Sequence, residues 1–339
     1  MKSNLARMIL GSSSWLPLPI CTQTGTQLIG ASIRDLVSNT QVQTEAILAL
    51  QEYLGLSVLM TPMDLSIEAE MFGCEIAYYD NEIPTVVGKA VKSLEDIRTL
   101  SIPQPGCGRS RISLETVYSL TKHNNNLSIL GCMIGPFSLA IRLIGANEAL
   151  ELTATYPEML DLLLEKLLSF QIEYAKAFRS IGACGILIAE PAAGLLSPRA
   201  MSRFSSRYVR QLISSVSHQD FTVILHNCGA RLVHLPALLE AEAEIYHFGA
   251  PMDLEKAFYQ VGQETILGGN LDPYKTFIEG TELDVEAHTK LLLKATRYAV
   301  NFIPSSGCDL PAHTPLANIK TFVKTVNSFA KKACCVNES

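Results

Sequence analysis

The sequence predicts one (β/α)₈ (TIM) barrel with extra helical segments ahead of it, and three observations predict it. Eight short apolar, β-branched-rich runs recur along the chain; helical patterns lie between them; and 48% of the 339 residues are hydrophobic against 18% charged. Strands buried on both faces read as near-continuous hydrophobic runs, the signature of a parallel sheet, and eight strand–helix units favour a closed barrel over an open sheet. No repeat, low-complexity stretch or linker composition interrupts residues 1–339, so one domain is expected, followed only by a polar tail over 331–339.

The eight runs are Leu16–Cys21, Ser57–Met60, Ser128–Ile134, Gly185–Ala189, Thr222–His226, Glu244–Phe248, Thr265–Gly269 and Asn301–Ser305. Thr44–Leu54, Pro157–Arg179, Pro198–Ser217 and Glu286–Val300 carry apolar residues at three- and four-residue spacing, with charges on the other face. Ser197-Pro198 sets a capping hydroxyl before a proline at a helix start, and Thr314-Pro315 does the same before Leu316–Ala330. The long stretch from Asp64 to Asn126 fits the alternation less tidily and reads as a helical insertion with a hairpin around Glu75–Val87.

Composition excludes several functions. A net charge of −6 and a pI near 5.7 give no footprint for nucleic acid. No signal-peptide pattern opens the chain, and no run reaches the ~18 apolar residues that span a bilayer, so a cytoplasmic protein is expected. Nine cysteines, an odd number scattered over a long chain, do not form a disulfide framework, and Cys334 and Cys335 in the polar tail receive no role.

In a barrel of this kind the site lies at the C-terminal ends of the strands. The polar residues there are Thr22, Gln23, Asp64, Glu190, His226, Cys228, His247, Asn270, Asp272, Cys308 and Asp309. His226 and Cys228 are two apart at a strand end, so both side chains point the same way, and imidazole with thiolate suits Zn²⁺. Cys308 follows the eighth run, across the mouth from the fifth, and would complete three ligands with an open fourth position, as catalytic zinc requires. The residues alone leave open that His226 and Cys228 are buried bystanders and that Cys308 is an ordinary loop cysteine.

The stretches HNCG (226–229), GGNLDP (268–273) and SSGCDLPAHTPLANIK (305–320) occur in that order. With Met71–Ile76, Ile134–Phe137, Ile188–Pro191 and Leu196–Pro198, they resemble the uroporphyrinogen decarboxylase superfamily over most of the chain. Closest in pattern is its zinc-dependent branch, the methylcobamide:coenzyme M and related corrinoid methyltransferases. The resemblance implies a uroporphyrinogen decarboxylase-like barrel in which His226, Cys228 and Cys308 take the places of the branch's zinc ligands. It further implies a small acceptor, such as the thiol coenzyme M, bound as a zinc thiolate. A methylated corrinoid carried by a partner protein would supply the methyl group; the thiolate takes it from cobalt, which leaves as cob(I)amide. A member working on the donor side would instead demethylate a small methylated compound.

The decarboxylases themselves fit less well. Their arginine-rich stretch after the first strand is replaced here by Pro19-Ile20-Cys21-Thr22-Gln23-Thr24-Gly25, with no arginine before Arg34 except Arg7 near the start. A highly carboxylated tetrapyrrole needs several bidentate cations. A third reading, purely structural zinc, would normally demand a fourth protein ligand. Glu190 is expected either to face the metal, as ligand or proton acceptor, or to cap the following helix or pair with a nearby arginine. Asn270 and Asp272 are expected to line the mouth, with Asp272 before Pro273 also reading as a helix cap. His247 is read as a pocket residue or a satisfied core histidine, Asp309 as a neighbour orienting the site, and Thr22, Gln23 and Asp64 as pocket-lining by position.

Overall fold

Seven parallel strands pair side by side in the order β1 (Val58–Met60), β4 (Ser128–Ile134), β5 (Gly185–Ala189), β6 (Thr222–Asn227), β7 (Ile245–Phe248), β8 (Ile266–Leu271) and β9 (Phe302–Ser306). A separate antiparallel hairpin joins β2 (Glu75–Ala77) to β3 (Thr85–Val87), inside the insertion expected there. These observations come from a computed structural model that describes residues 2–123 and 127–329. Ala330, the tail 331–339 and its Cys334 and Cys335 lie outside the described residues.

The first predicted run, Leu16–Cys21, makes no strand ladder, and its sequence gives the reason. Pro17 and Pro19 have no N–H, so alternate residues cannot donate along one edge. The other edge is intact: Leu18 N donates to Pro304 O at 3.0 Å and Ile20 N to Ser306 Oγ at 2.9 Å. On the proline side, the contact is a side-chain one, from Met63 N to Thr22 Oγ1 at 3.1 Å. This segment stands between β9 and β1 as the eighth stave, and the architecture is that of a (β/α)₈ barrel.

Side-chain alternation divides the core into two. Leu18, Ile20, Val58, Met60, Leu130, Cys132, Leu187, Ala189, Ile224, Ile245, Ile266 and Ile303 fill the barrel interior. Their odd neighbours, including Ile129, Ile186, Ile188, Val223, Leu225, Tyr246, Phe248, Leu267 and Phe302, face the surrounding helices. The amino-terminal helix Asn4–Gly11, capped by the Ser3 hydroxyl, adds Leu5, Ala6 and Ile9 to the interior cluster. Asn4 N bonds Gln219 O at 2.7 Å just ahead of β6, so this helix closes the end of the barrel opposite the site.

Helix bounds depart from expectation where caps decide them. The helix predicted from Thr44 begins at Thr40 because the Asn39 side chain accepts from Gln41 N and Val42 N. The one predicted from Glu286 begins at Glu282, fixed by a Thr281–Asp284 capping box, and ends at Ala295. The stretch predicted over 198–217 is helical as far as Val216 but widens to a π turn over Ser202–Ser206. No helix among the described residues is long and apolar enough to cross a membrane.

Candidate metal centre

The inward-facing row of the sheet changes character above the isoleucine layer. Two residues beyond Ile224 stands His226; two beyond Ile245 stands His247; two beyond Ile303 stands Ser305. His226, His247 and Gly268 are in register on β6, β7 and β8. All of these polar residues are buried, and Cys228 and Cys308 just past the strand ends are half-buried. Their possible ligand atoms, an imidazole nitrogen of His226 and the two Sγ atoms, lie within 4.8 Å of one another, and they form the one His/Cys/Asp/Glu grouping of this kind among the described residues.

Three features make this set fit a metal ion. His226 Nε2 is a buried polar atom with no hydrogen-bond partner, a lone pair or proton left unused in a place where that is costly. The two sulfurs share one another's protons: the Cys308 hydrogen bond, helped by His226 against the cost of burial, holds the Cys228 thiol well down, while Cys228 and burial hold the Cys308 thiol up. Such a pair gives up one proton readily and the second only to a strong positive charge. The two cysteines are half-buried while the imidazole is buried, so the grouping meets solvent on its sulfur side.

Close backbone approach holds the two ligand loops together. A Cβ on Gly249 would stand 2.1 Å from Cys228 O, and one on Gly307 would stand 2.9 Å from Ala250 N, so glycine at both positions lets the loops after β6, β7 and β9 nest. Asn270, at the mouth, donates its amide to Gly249 O at 3.1 Å and Met252 O at 2.6 Å, pinning the loop that abuts Cys228. Asp309 accepts from Thr22 N, Thr22 Oγ1 and Gln23 Nε2 at 2.8–2.9 Å, which ties the Cys308 loop to the first stave. Burial pushes the Asp309 carboxyl up to about 6 against the pull of those bonds. Thr22, Gln23 and Asp309 therefore position the loop that carries Cys308, and Asn270 the loop that backs Cys228.

The other expected positions are engaged elsewhere. Glu190 follows Ala189, which faces the interior, so alternation turns Glu190 outward. Its carboxylate accepts from Phe137 N, Ser138 N and Ser205 Oγ, all at 2.9 Å. Glu190 therefore caps a helix, but the earlier one that starts at Pro136 and not the following one as expected, with the π turn delivering Ser205. Burial raises its pKa and those hydrogen bonds oppose the rise. Glu190→Gln replaces one acceptor by an NH₂ facing a backbone donor, so it should cost about 1–3 kcal/mol in urea unfolding while leaving metal content unchanged. A loss of metal with stability intact would put Glu190 back at the ion.

Asp272 likewise caps the next turn, accepting from Tyr274 N and Lys275 N at 2.9 Å. Asp64 is buried against the Arg109 guanidinium and the Ser66 hydroxyl and amide. His247 is a satisfied buried histidine, bonded through Nδ1 to His226 Nδ1 at 2.8 Å and through Nε2 to Ser305 Oγ at 2.7 Å. Its pKa lies well below the ordinary value because of burial and then of His226.

Sequence reasoning passed over Ser305, Arg109 and Glu68. Ser305 was detectable: it is the inward residue two past Ile303. Arg109 was not, since its partners Asp64 and Glu70 are 45 and 39 residues away. Glu68 is buried with Oε1 on Ile134 N at 2.9 Å, and burial pushes its carboxyl up to about 8.

The family model for uroporphyrinogen decarboxylase (URO-D) matches residues 18–329. The methylcobamide:CoM methyltransferase MtbA of Methanosarcina mazei is 29% identical over 322 residues, covering 93% of this chain and 93% of that protein. A methylated-thiol--coenzyme M methyltransferase of the same organism is 25% identical, covering 89% of this chain and 82% of its own. A solved methyltransferase from Methanosarcina mazei superposes with a TM-score of 0.86 at 25% identity, over 95% of this chain and 96% of its own. The chain belongs to the uroporphyrinogen decarboxylase family and, within it, groups with the methyltransferases.

Proposed function

We propose that this chain is a zinc-dependent methyltransferase that moves a methyl group between a methylated corrinoid, carried by a partner protein, and a small thiol of the coenzyme M kind. His226, Cys228 and Cys308 would hold the ion; the observation that carries the reading is that their ligand atoms converge within 4.8 Å and that His226 Nε2 is buried with no other partner. Bound there, zinc supplies a positive charge that keeps a thiol ionised at neutral pH, where a free thiol of pKa ~8.5 is only a few per cent thiolate. The chain's own part is to match that charge. Two thiolates and a neutral imidazole bring the site close to neutrality, which leaves an added sulfur electron-rich. Asp309, Thr22, Gln23 and Asn270 keep the ligand loops at the mouth, the end of the barrel over which a corrinoid face would dock. As a further part of this reading, residues 1–339 act as one domain.

The relative named for a methylated thiol favours one second reading, in which the chain removes a methyl group from such a compound and loads the corrinoid. A decarboxylase role is not favoured. Arg34 is exposed and paired with Asp80, and Arg109 is engaged by Asp64 and Glu70.

The test is methyl transfer from methylcobalamin to a panel of thiols, followed by the loss of the Co–CH₃ visible absorption, on protein assayed for about one zinc per chain. Transfer to one or more thiols is expected. Zinc without transfer to any thiol points to the donor-side reading; protein that binds no zinc ends both.

A further inference from the structure

We propose that His247 and Ser305 are positioning residues: they fix the tautomer of His226 so that Nε2 presents a bare lone pair to the metal site. This rests on the reading of that site given above. It follows from counting hydrogens along one chain of contacts. Ser305 Oγ bonds the carbonyl of Leu18 in a short contact. A carbonyl only accepts, so the single serine proton lies between those two oxygens. Toward His247 Nε2, 2.7 Å away, Ser305 Oγ must therefore accept, and His247 carries its hydrogen on Nε2. A neutral imidazole has one ring hydrogen, which leaves His247 Nδ1 bare. That bare nitrogen stands 2.8 Å from His226 Nδ1, so the hydrogen between them belongs to His226. The remaining nitrogen of His226, Nε2, is then unprotonated. With Nδ1 engaged by His247, it is the nitrogen left to serve in the 4.8 Å grouping of His226 with the two sulfurs, and it is buried without a partner. The opposite tautomer would aim an N–H at the ion and could not ligate.

The fold places each member of this relay. Gly268 lies in register between His247 and the β9 side, and a Cβ there would come within 3.1 Å of His247 Cδ2. Its missing side chain gives the ring its path to Ser305. Leu18 belongs to the proline-interrupted stave, whose own N–H is fixed on Pro304 O. The relay thus connects the seam where the barrel closes to the imidazole at its mouth.

Two measurements test this. In metal-free wild-type protein with ¹⁵N-labelled histidine, at about pH 8 where histidines are ordinarily neutral, two-bond ¹H–¹⁵N spectra should show His226 as the Nδ1–H tautomer and His247 as the Nε2–H tautomer. An Nε2–H His226 overturns the proposal. Zinc affinity, read by chelator competition, should weaken by about 10–100-fold in His247→Phe and in Ser305→Ala, the usual effect of removing a partner behind a ligating histidine. His247→Gln keeps an acceptor toward His226 and a donor toward Ser305, and should stay within a few-fold of wild type. A purely structural role would lower unfolding midpoints but leave zinc affinity and tautomer unchanged. If wild type binds no zinc at all, the metal reading fails on its own, and the metal-free spectra still decide the relay.

Discussion

Cys308→Ala is expected to lower bound zinc from about one ion per chain to a small fraction of that, with the barrel still folded. Two facts set the size of the effect. Cys308 lies past the end of β9 in a half-buried loop, so its removal opens no cavity in the core. Its sulfur is also the chief support for an ionised Cys228, so the variant leaves His226 beside a thiol that has become a poorer ligand. Two weakened ligands from one strand end cannot retain a catalytic ion. Thiol-dependent transfer should then fall at least about a thousandfold: roughly thirtyfold from losing the ionised sulfur at neutral pH and the rest from losing its fixed place. Elemental analysis with the methylcobalamin assay checks both effects. The exposed Cys107 supplies the control, since Cys107→Ala should change neither. Full zinc content in Cys308→Ala would remove the basis of the proposed function.

The parts of this molecule that could be read from its sequence are those governed by local rules. Buried parallel strands are apolar without a break, and so Ser128–Ile134 and Gly185–Ala189 appear at the residues expected. Likewise, two residues on one strand share a face, which puts His226 and Cys228 together from spacing alone. What the sequence could not supply is which way a residue at a strand end turns. Glu190 and His226 both close apolar runs, yet Ala189 takes the inward position on β5 and sends Glu190 to a helix start, whereas Ile224 takes it on β6 and turns His226 into the barrel. Counting alternation from the inner isoleucines would have separated the two. Polar side chains whose partners are distant in the chain are harder still. Thr22 and Gln23 read as pocket residues until the loop carrying Asp309, nearly three hundred positions away, is folded against them.

The same distinction governs the second large effect, which concerns stability. Arg109→Met should destabilise the protein by about 3–5 kcal/mol, the cost of stranding a buried partner. The guanidinium and the Asp64 carboxylate are 7% and 1% exposed, and Glu70 and the Ser66 hydroxyl occupy its other nitrogens. Methionine fills the volume but leaves Asp64 buried with only Ser66 to solvate it. The stranded carboxylate keeps its desolvation cost with no cation to offset it, a deficit read in urea unfolding at neutral pH. Asp64→Asn in the same chain should recover part of it, because the amide needs no countercharge. Equal stability of Arg109→Met and wild type at neutral pH would show that the insertion carries this ion pair without depending on it. Zinc content is expected to stay normal in both variants under native conditions, since no ligand of the proposed site bonds Arg109 or Asp64. Arg109 thus fixes how firmly the segment from Asp64 to Glu70 is held to the helix Gly108–His123, while the proposed ion would depend on the strand ends.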